Sequence, residues 1–352
     1  MAGFNIIEPF DFYPAATRID FTGSLWSLST DSPNCKVDTS NPRTGTRCLL
    51  LNLNGTNQAG PARNIDVPVS RVMFGAAFRF TSGSAFLNST NAWGFGVKNS
   101  SDASKLMFKP RPNTNQFGLY TGNLGGTLRA SSTFSLAFDT YYYVLCDWDG
   151  LNGNVDWWVN GVAGPSIVND PIFEFANLGF PDRLQLGSRM NGSGNVRVDD
   201  LFCVVDPTAG QRSSLLVYKD FSITTSMPEA NTAPQNWSHV GAASAWECLN
   251  NVPADIAKYI ESSVGGDVSA FQLSDASANV LAVHAAQHYY SAAKTAVGIG
   301  NVQGSLNGGA GAVNPQSTSY VYWADTYPIN PATGVTWAPS DLVSPSNSFE
   351  SS

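Results

Sequence analysis

His284 and His288 stand four apart in the segment HAAQH. Zinc proteases place two histidines at this spacing on a helix, but they need a Glu beside the first one as general base (HExxH). Position 285 is Ala, so the base is missing. On a strand the two rings would share a face about 13 Å apart by strand rise. The expectation is a pair of surface histidines. A second group is oxygen-rich: Asp147, Asp149, Asn152, Asn154 and Asp156. Calcium takes six to eight oxygen ligands, so Asp147, Asp149, Asn152 and Asp156 are weak calcium candidates. Their spacing is not that of an EF-hand loop. Asp and Asn that serve a turn backbone explain the same residues more simply, so the expectation is no metal and no cofactor.

Sugar binding needs an exposed aromatic ring and nearby amides. Trp93, Tyr120, Trp148 and Trp158 are the candidates. Trp157 and Trp158 are adjacent, so on a strand they point to opposite faces, and one of the two is the more exposed. For each ring taken singly, core packing is the more common fate. No G-x-S-x-G nucleophile elbow and no GxxxxGK[ST] phosphate loop is present.

The elements that must position these residues are mostly strands. Arg71–Phe80 alternates Val72, Phe74, Ala76, Phe78 and Phe80 with Met73, Gly75, Ala77 and Arg79, a period of two with one strongly apolar face. Thr140–Trp148 is a long apolar strand, Asp149–Asn154 (DGLNGN) a turn, and Val155–Val159 the returning strand before a tight turn at Asn160-Gly161. Many short strands separated by turns argue for a sandwich or barrel. The expected organisation is a jelly-roll domain over 1–205, a polar linker over 206–215, a second, smaller β-rich domain over 216–327, and an extended Pro/Ser/Asn-rich tail over 328–352. In the second half the pattern suggests strands at Leu216–Ile223, within Val280–Lys294, at Val297–Gln303 and, as the last, at Ser319–Asp325. It suggests a short helix at 253–262 and a flexible loop at 304–312.

Composition narrows the partners. The 352 residues are 43% hydrophobic and only 13% charged, with a net charge of −8, against roughly 25% charged in an average domain. Lys and Arg are scattered singly with no basic patch in the sequence, so nucleic acid is not an expected partner. The N-terminal stretch lacks a cationic segment followed by an apolar one, so no secretory leader is expected, and no apolar run is long enough to suggest a membrane span. Five cysteines (Cys35, Cys48, Cys146, Cys203, Cys248) form neither a disulfide framework nor a metal pattern. Cys146 and Cys203 fit core positions, and whether Cys35 and Cys48 pair is left open.

The block Tyr141–Gly161 (YYYVLCDWDGLNGNVDWWVNG), then Leu184-Gln185-Leu186-Gly187 and Asp199-Asp200-Leu201, resembles the concanavalin A-like jelly rolls of the LamG type. The resemblance implies two antiparallel sheets over about 1–205 and leaves function open, because this fold hosts many. Some LamG domains bind calcium at the rim of the sandwich. Glycosidases on such jelly rolls use a Glu–x–Asp–x–Glu strand, since retaining hydrolysis needs two carboxyls about 5 Å apart. The six Glu here (Glu8, Glu174, Glu229, Glu247, Glu261, Glu350) are nowhere spaced to share a strand face, so no enzyme of that kind is expected.

After this block come Asp206 and Gly210, Val217-Tyr218 with Asp220, Met227-Pro228-Glu229, Trp237-Ser238, Ile260-Glu261-Ser262, and Asp267 with Phe271 and Leu273. The series ends in Asn330-Pro331-Ala332-Thr333-Gly334 with Trp337. The order resembles tailed-bacteriophage virion proteins in which a LamG-like jelly roll precedes a β domain. It departs where the family usually reads L-G-D and this chain has Val217-Tyr218-Lys219-Asp220. The resemblance implies a structural virion component such as a decoration, collar, head-fibre or tail-associated protein, assembled in the bacterial cytoplasm. Its implied partners are other virion proteins and copies of itself. The alternative is a glycan-binding adhesin that meets host-surface glycan, and a polysaccharide-degrading enzyme ranks below both.

Overall fold

The fold is that of a computed structural model, which describes residues 3–13, 15, 25–28, 35–54, 60–82, 94–99, 104–111, 114–122, 126–187, 193–251, 255–275, 280–295 and 300–352. It is all-β and divides into two compact units, one built mainly from Trp26–Ile223 and one mainly from Thr224–Ser352 together with Asp11–Ala15. Among the described residues no helix is long and apolar enough to cross a membrane.

In chain order the first unit contains β1 (Gly3–Glu8), β2 (Ser27–Leu28), β3 (Cys35–Asp38), β4 (Cys48–Asn54), β5 (Pro61–Asn64), β6 (Arg71–Phe80), β7 (Phe95–Lys98), β8 (Ser104–Pro110), β9 (Phe117–Thr121), β10 (Thr127–Ser131), β11 (Tyr141–Asp149), β12 (Asn154–Val159), β13 (Val162–Ala163), α1 (Phe175–Leu178), β14 (Arg183–Leu186), β15 (Ser193–Val205) and α2 (Ala209–Tyr218). Two antiparallel sheets form a jelly-roll sandwich of the concanavalin A-like kind. The eight-stranded sheet runs β13-β12-β11-β6-β15-β4-β3, with β1 also beside β15, and the seven-stranded sheet runs β10-β9-β8-β7-β14-β5-β2.

The alternation in β6 sets the core. Phe74 meets Phe95 edge-on at 5.2 Å, and Phe78 and Phe80 lie 6.4 and 5.8 Å from Phe117 on the facing sheet. The opposite face of β6 is covered as well. Met73 and Ala77 are buried with Tyr143, Leu145, Trp158, Phe202, Val204 and Leu215. This second layer is why β6 and β11 are apolar on both sides.

Leu215 belongs to α2, which replaces two sequence expectations. The supposed linker at 206–215 is mostly this helix, which also takes the start of the supposed strand at Leu216–Ile223 and ends at Tyr218. Thr208 caps it by accepting from the Gln211 amide, while the Gln211 side chain accepts from the Thr208 amide. This reciprocal capping box satisfies two otherwise orphaned donors. The first unit runs on to Ile223.

The second unit contains β16 (Pro228–Gln235), β17 (Ser238–Val240), α3 (Ala245–Leu249), β18 (Tyr259–Glu261), β19 (Val268–Leu273), β20 (Ala286–Ala292), β21 (Asn301–Leu306), β22 (Gly309–Pro315), β23 (Val321–Tyr327) and β24 (Ser346–Ser351). A five-stranded sheet in the order β16-β19-β24-β21-β22 is accompanied by the ribbons β17-β18 and β20-β23. Phe271, Tyr290 and Phe349 centre one cluster, and Leu273, Leu306, Tyr327 and Trp337 another. From the N-terminal segment Phe12 stacks on Tyr289 at 4.7 Å, and Tyr13, fully buried, packs on Tyr322.

Several expectations fail in this unit. Where 253–262 suggests a helix, its described part carries β18, and the helix is α3 upstream. The supposed loop at 304–312 is a hairpin of β21 and β22. Its turn residues Asn307 and Gly308 have φ of 46° and 77°, the positive pair that a two-residue hairpin turn requires. Replacing Gly308 by Ala places a side chain in the left-handed region and is expected to cost about 1–2 kcal/mol, read as a lower urea midpoint. A tail over 328–352 is not observed: β24 lies between β19 and β21 in the middle of the sheet. Its inward positions are Asn347 and Phe349, so a single large apolar residue marks it in the sequence.

All five cysteines are buried and outside any disulfide. Cys35 pairs in register with Leu51, and Cys48 with Asp38. Three register steps therefore separate them, about 10 Å of strand, beyond the reach of a disulfide.

Candidate functional site

Of the four glycan candidates, the three that can be placed are buried. Trp148 is fully enclosed, and its indole N–H donates to the Phe173 carbonyl at 2.7 Å. Trp158 does lie on the sheet face opposite Trp157, as adjacency requires. It is nonetheless covered by the helix layer, with the Lys219 ammonium 5.1 Å from its ring. Tyr120 is 7% exposed. Trp93 lies outside the described residues.

Tyr120 occupies the outer face of the seven-stranded sheet, and cross-strand register shows what surrounds it. Ala62, Gln185, Gly96, Met107, Tyr120 and Leu128 form one row across β5, β14, β7, β8, β9 and β10. Residues two apart on a strand share a face, so Lys105, Lys109 and Arg111 project beside Met107, and Lys98 and Arg183 beside Gly96 and Gln185. The Lys109 ammonium sits 4.1 Å from the Tyr120 ring centroid, a cation–π contact. Burial lowers the Lys109 pKa to about 8, because removal from water disfavours the charged form. A side chain at Gly118 would collide with Tyr120, Leu128 and Arg111, so that glycine lets the ring lie flat on the sheet. At one end of the face Asn64, Ile65, Asp182 and Arg183 line a cavity of about 320 Å³. Cations that look scattered in the sequence are thus gathered by register, with Lys98, Lys105 and Lys109 buried.

The oxygen-rich turn is occupied by arginines. Arg71 donates to both oxygens of Asp147 at 2.8 and 2.9 Å and to Asp149 at 2.6 Å, and Arg212 donates to Asp147 at 2.6 Å. Asp149 also accepts from the Leu151 and Asn152 amides, Asn154 from Asn169, and Asp156 from the Ser166 hydroxyl. These carboxylates serve turns and ion pairs. Among the described residues no group of three or more His, Cys, Asp or Glu could hold a metal. Adding calcium to chelator-treated protein is expected to leave its thermal midpoint unchanged. A rise of several degrees would show that a cation displaces Arg71.

Further acids of the sandwich are engaged in the same way. Glu8 accepts from Trp26, Arg63 and the Phe10 amide. Asp38 pairs with Arg197 at 3.1 Å. Asp206 accepts from the amides of Val69, Ser70 and Arg71 at 2.8–2.9 Å, which holds its pKa down. Asp199 and Asp200 are bound by Arg43 and Thr44.

The histidines differ from expectation. His288 lies inside the second unit, not on its surface: Asn347 Nδ2 is 3.1 Å from its Nε2, and the Tyr290 and Phe349 rings are 5.4 and 5.1 Å away. Burial pushes its pKa down to about 4. His284 is half-buried and precedes β20, so the two do not share a strand.

No family model and no curated protein sequence matches the chain. Solved structures resemble it at low identity. A sialidase shares 10% identity with a TM-score of 0.41, and the match covers 64% of this chain and 22% of that one, so the chain spans less than a quarter of it. The catalytic domain of the glycoside hydrolase family 131 protein from Coprinopsis cinerea shares 17% identity at TM-score 0.39, covering 56% and 92%. Botulinum neurotoxin type C, whose cell entry depends on interaction with two ganglioside molecules, shares 9% identity at TM-score 0.38, covering 93% and 97%. These likenesses are noted for the fold alone.

Proposed function

We propose that the chain is a non-catalytic structural component of a tailed-phage particle, which docks through other virion proteins and copies of itself and displays its jelly roll. The observation that carries this reading is the geometry of the C-terminal motif on which the resemblance to such proteins rests. Asn330 accepts from the Ala332 amide through its side chain and from the Gly334 amide through its carbonyl. Gly334 takes a φ of 71°, and Trp337 is buried, donating to the Tyr327 carbonyl at 2.9 Å. Asn, Gly and Trp thus each have a specific task in seating one indole in the core, so the spacing is a folding requirement of this kind of unit. Such a requirement supports kinship better than a chance string does. The engaged carboxylates of the sandwich fit a non-catalytic role, because general acid–base work needs a carboxyl that can exchange protons with a substrate. Mass spectrometry of purified particles tests the reading: the chain should be present in stoichiometric amount, and its absence from washed particles overturns it.

The second reading, recognition of a host-surface glycan, is favoured by one observation: the exposed Asn64 amide and the half-buried Arg183 guanidinium line an open cavity of about 320 Å³. A glycan array probed with the full chain tests it, and no signal on any glycan at high protein concentration leaves the structural role alone.

A further inference from the structure

Among the described arginines, Arg183 alone donates no hydrogen bond from its guanidinium. The others each reach a carboxylate, a carbonyl, an amide or a hydroxyl: Arg63 meets Glu8, Arg79 the Asp139 carbonyl, Arg111 Gln116 and Arg129 Thr121, and the rest are engaged likewise. The nearest opposite charge to Arg183 is Asp182, whose Oδ1 stands 4.0 Å from Nε, too far for a hydrogen bond. A guanidinium holds five N–H donors in a fixed plane and accepts nothing. The Arg183 side chain is 31% exposed, so its donors are open to an acceptor from outside the chain.

The backbone fixes what surrounds those donors. Arg183 is in register with Asn64 of β5 on one side and with Lys98 of β7 on the other. Pairing runs one residue past the strands, since the Ile65 amide donates to the Asp182 carbonyl at 2.9 Å and the Asp182 amide to the Lys98 carbonyl at 3.0 Å. This ladder seats Asn64, Ile65, Asp182 and Arg183 around the cavity of about 320 Å³. Asn64 is exposed, Asp182 and Arg183 are half-buried, and the buried Ile65 gives an apolar wall. The volume is at the small end of ligand pockets, which run from roughly 300 to 1,000 Å³, so it suits one small molecule and not a polymer. The charges of Arg183 and Asp182 cancel. A guanidinium only donates, a carboxylate only accepts, and the Asn64 amide does both. An anionic ligand would meet Asp182, and a cationic one Arg183. Two adjacent hydroxyls, each donor and acceptor at once, satisfy both.

Resting on the glycan reading above, we infer that this cavity binds one uncharged sugar ring through a pair of adjacent hydroxyls. One hydroxyl accepts from the Arg183 fork, and its neighbour donates to the Asp182 carboxylate. The Asn64 amide serves a further hydroxyl, and Ile65 lies against a C–H edge of the ring. Among the described residues no aromatic ring lines the cavity, so a single site holds its sugar by hydrogen bonds with millimolar affinity. Display of several copies on one particle would raise this through avidity.

The test is NMR amide-shift mapping of the full chain with methyl glucoside, methyl galactoside and methyl mannoside, and in parallel with glucuronate. At least one hexoside should shift the amides of Asn64, Ile65, Asp182 and Arg183. Arg183→Gln should weaken that binding about tenfold or more at an unchanged unfolding midpoint, because the guanidinium bonds nothing in the chain. Arg183→Lys keeps the charge but loses the planar fork, and should also weaken it. Arg129→Gln, on the edge strand β10 of the same sheet, should leave binding unchanged. Absence of hexoside shifts at these four residues overturns the inference. Preference for glucuronate over every hexoside overturns it in favour of an anion site. A glycan-array signal that persists in Arg183→Gln overturns this site while glycan recognition itself survives.

Discussion

Arg43→Ala is expected to destabilise the first unit by about 3–5 kcal/mol, the usual consequence of stripping one partner from a buried ion pair. Asp199 and Asp200 are both fully buried where β15 breaks its register with β6. Asp200 sits at φ 50°, a backbone setting that Asp tolerates better than most residues. The Arg43 guanidinium donates to Asp200 at 2.9 Å, to the Phe221 carbonyl and to Asp220, and stands 5.2 Å from the Tyr143 ring. The Arg43 amide donates to Asp199 at 2.7 Å, the Thr44 hydroxyl donates to Asp200, and the Ile223 amide donates to Asp200 at 2.8 Å. One side chain therefore ties the 41–47 loop, the β15 bulge and the segment after α2. Burial, and for Asp199 the neighbouring Asp200 carboxylate, push both pKa values up, while Arg43 opposes this for Asp200. Without Arg43 the Asp200 carboxylate must stay charged and unpaired, take a proton, or open the bulge, and each costs stability.

Arg71→Ala provides the comparison. It also removes a cation from a buried carboxylate, but Asp147 keeps Arg212 at 2.6 Å and Asp149 keeps two turn amides. The expected loss is about 1.5–3 kcal/mol, the range for a hydrogen bond to a charged group. Urea unfolding followed by circular dichroism measures both. If Arg43→Ala costs no more than Arg71→Ala, the bulge lock has no special weight. Arg43→Lys should fall between wild type and Arg43→Ala, since an ammonium cannot serve Asp200, Asp220 and a carbonyl with one planar fork.

What could be read in advance depended on whether the signal was local. The β11–β12–β13 run is legible because alternation and turn chemistry agree: Asn160 and Gly161, between β12 and β13, take φ of 48° and 76°, as their types suggest. The apolar face of β6 was legible for the same reason. α2 was not, because Leu215, Leu216 and Val217 form a run that reads as strand, while its helical signal is two polar residues, Thr208 and Gln211. β24 was hidden because its neighbours supply the core around Asn347 and Phe349.

The site was harder still. Tyr120 could be nominated as an aromatic, but its neighbours Lys98, Lys105, Lys109 and Gln185 come from three strands. Only register puts them on one face. Trp148 and Trp158 carry the same sequence signal as an exposed ring would, while the sandwich core buries one and the helix layer the other. Asp147 and Asp149 looked like ligands because Arg71 and Arg212, which satisfy them, lie far away in the chain. The Asp199-Asp200 pair stands out as a motif, while its partner Arg43 carries no sequence signal at all.

The second unit should lose stability in acid through His288. Its folded-state pKa, lowered by burial to about 4, lies below the ordinary 6.5 of the unfolded chain. The unfolded state therefore binds a proton first as pH falls, and stability drops between pH 6.5 and 4. Above 6.5 the contribution is fully present. The difference corresponds to about 3 kcal/mol, approached with a slope of about 1.4 kcal/mol per pH unit. The surroundings explain the low value. Asn347 Nδ2 from β24 donates toward Nε2, Tyr290 and Phe349 flank the ring, and Gly304 of β21 is so near that a side chain there would meet Nδ1 at 2.8 Å. Asp325 is in register with His288 across the ribbon. Burial raises the Asp325 pKa, so its own contribution has the opposite sign and grows as pH falls toward 3.8. His284, lowered by burial, adds in the same direction as His288. Urea unfolding of the full chain from pH 7.5 to 4, read by Trp fluorescence, should show the slope. His288→Gln, which retains an amide for Asn347, should flatten it more than His284→Gln does. An unchanged slope in His288→Gln would place the acid sensitivity elsewhere in the chain.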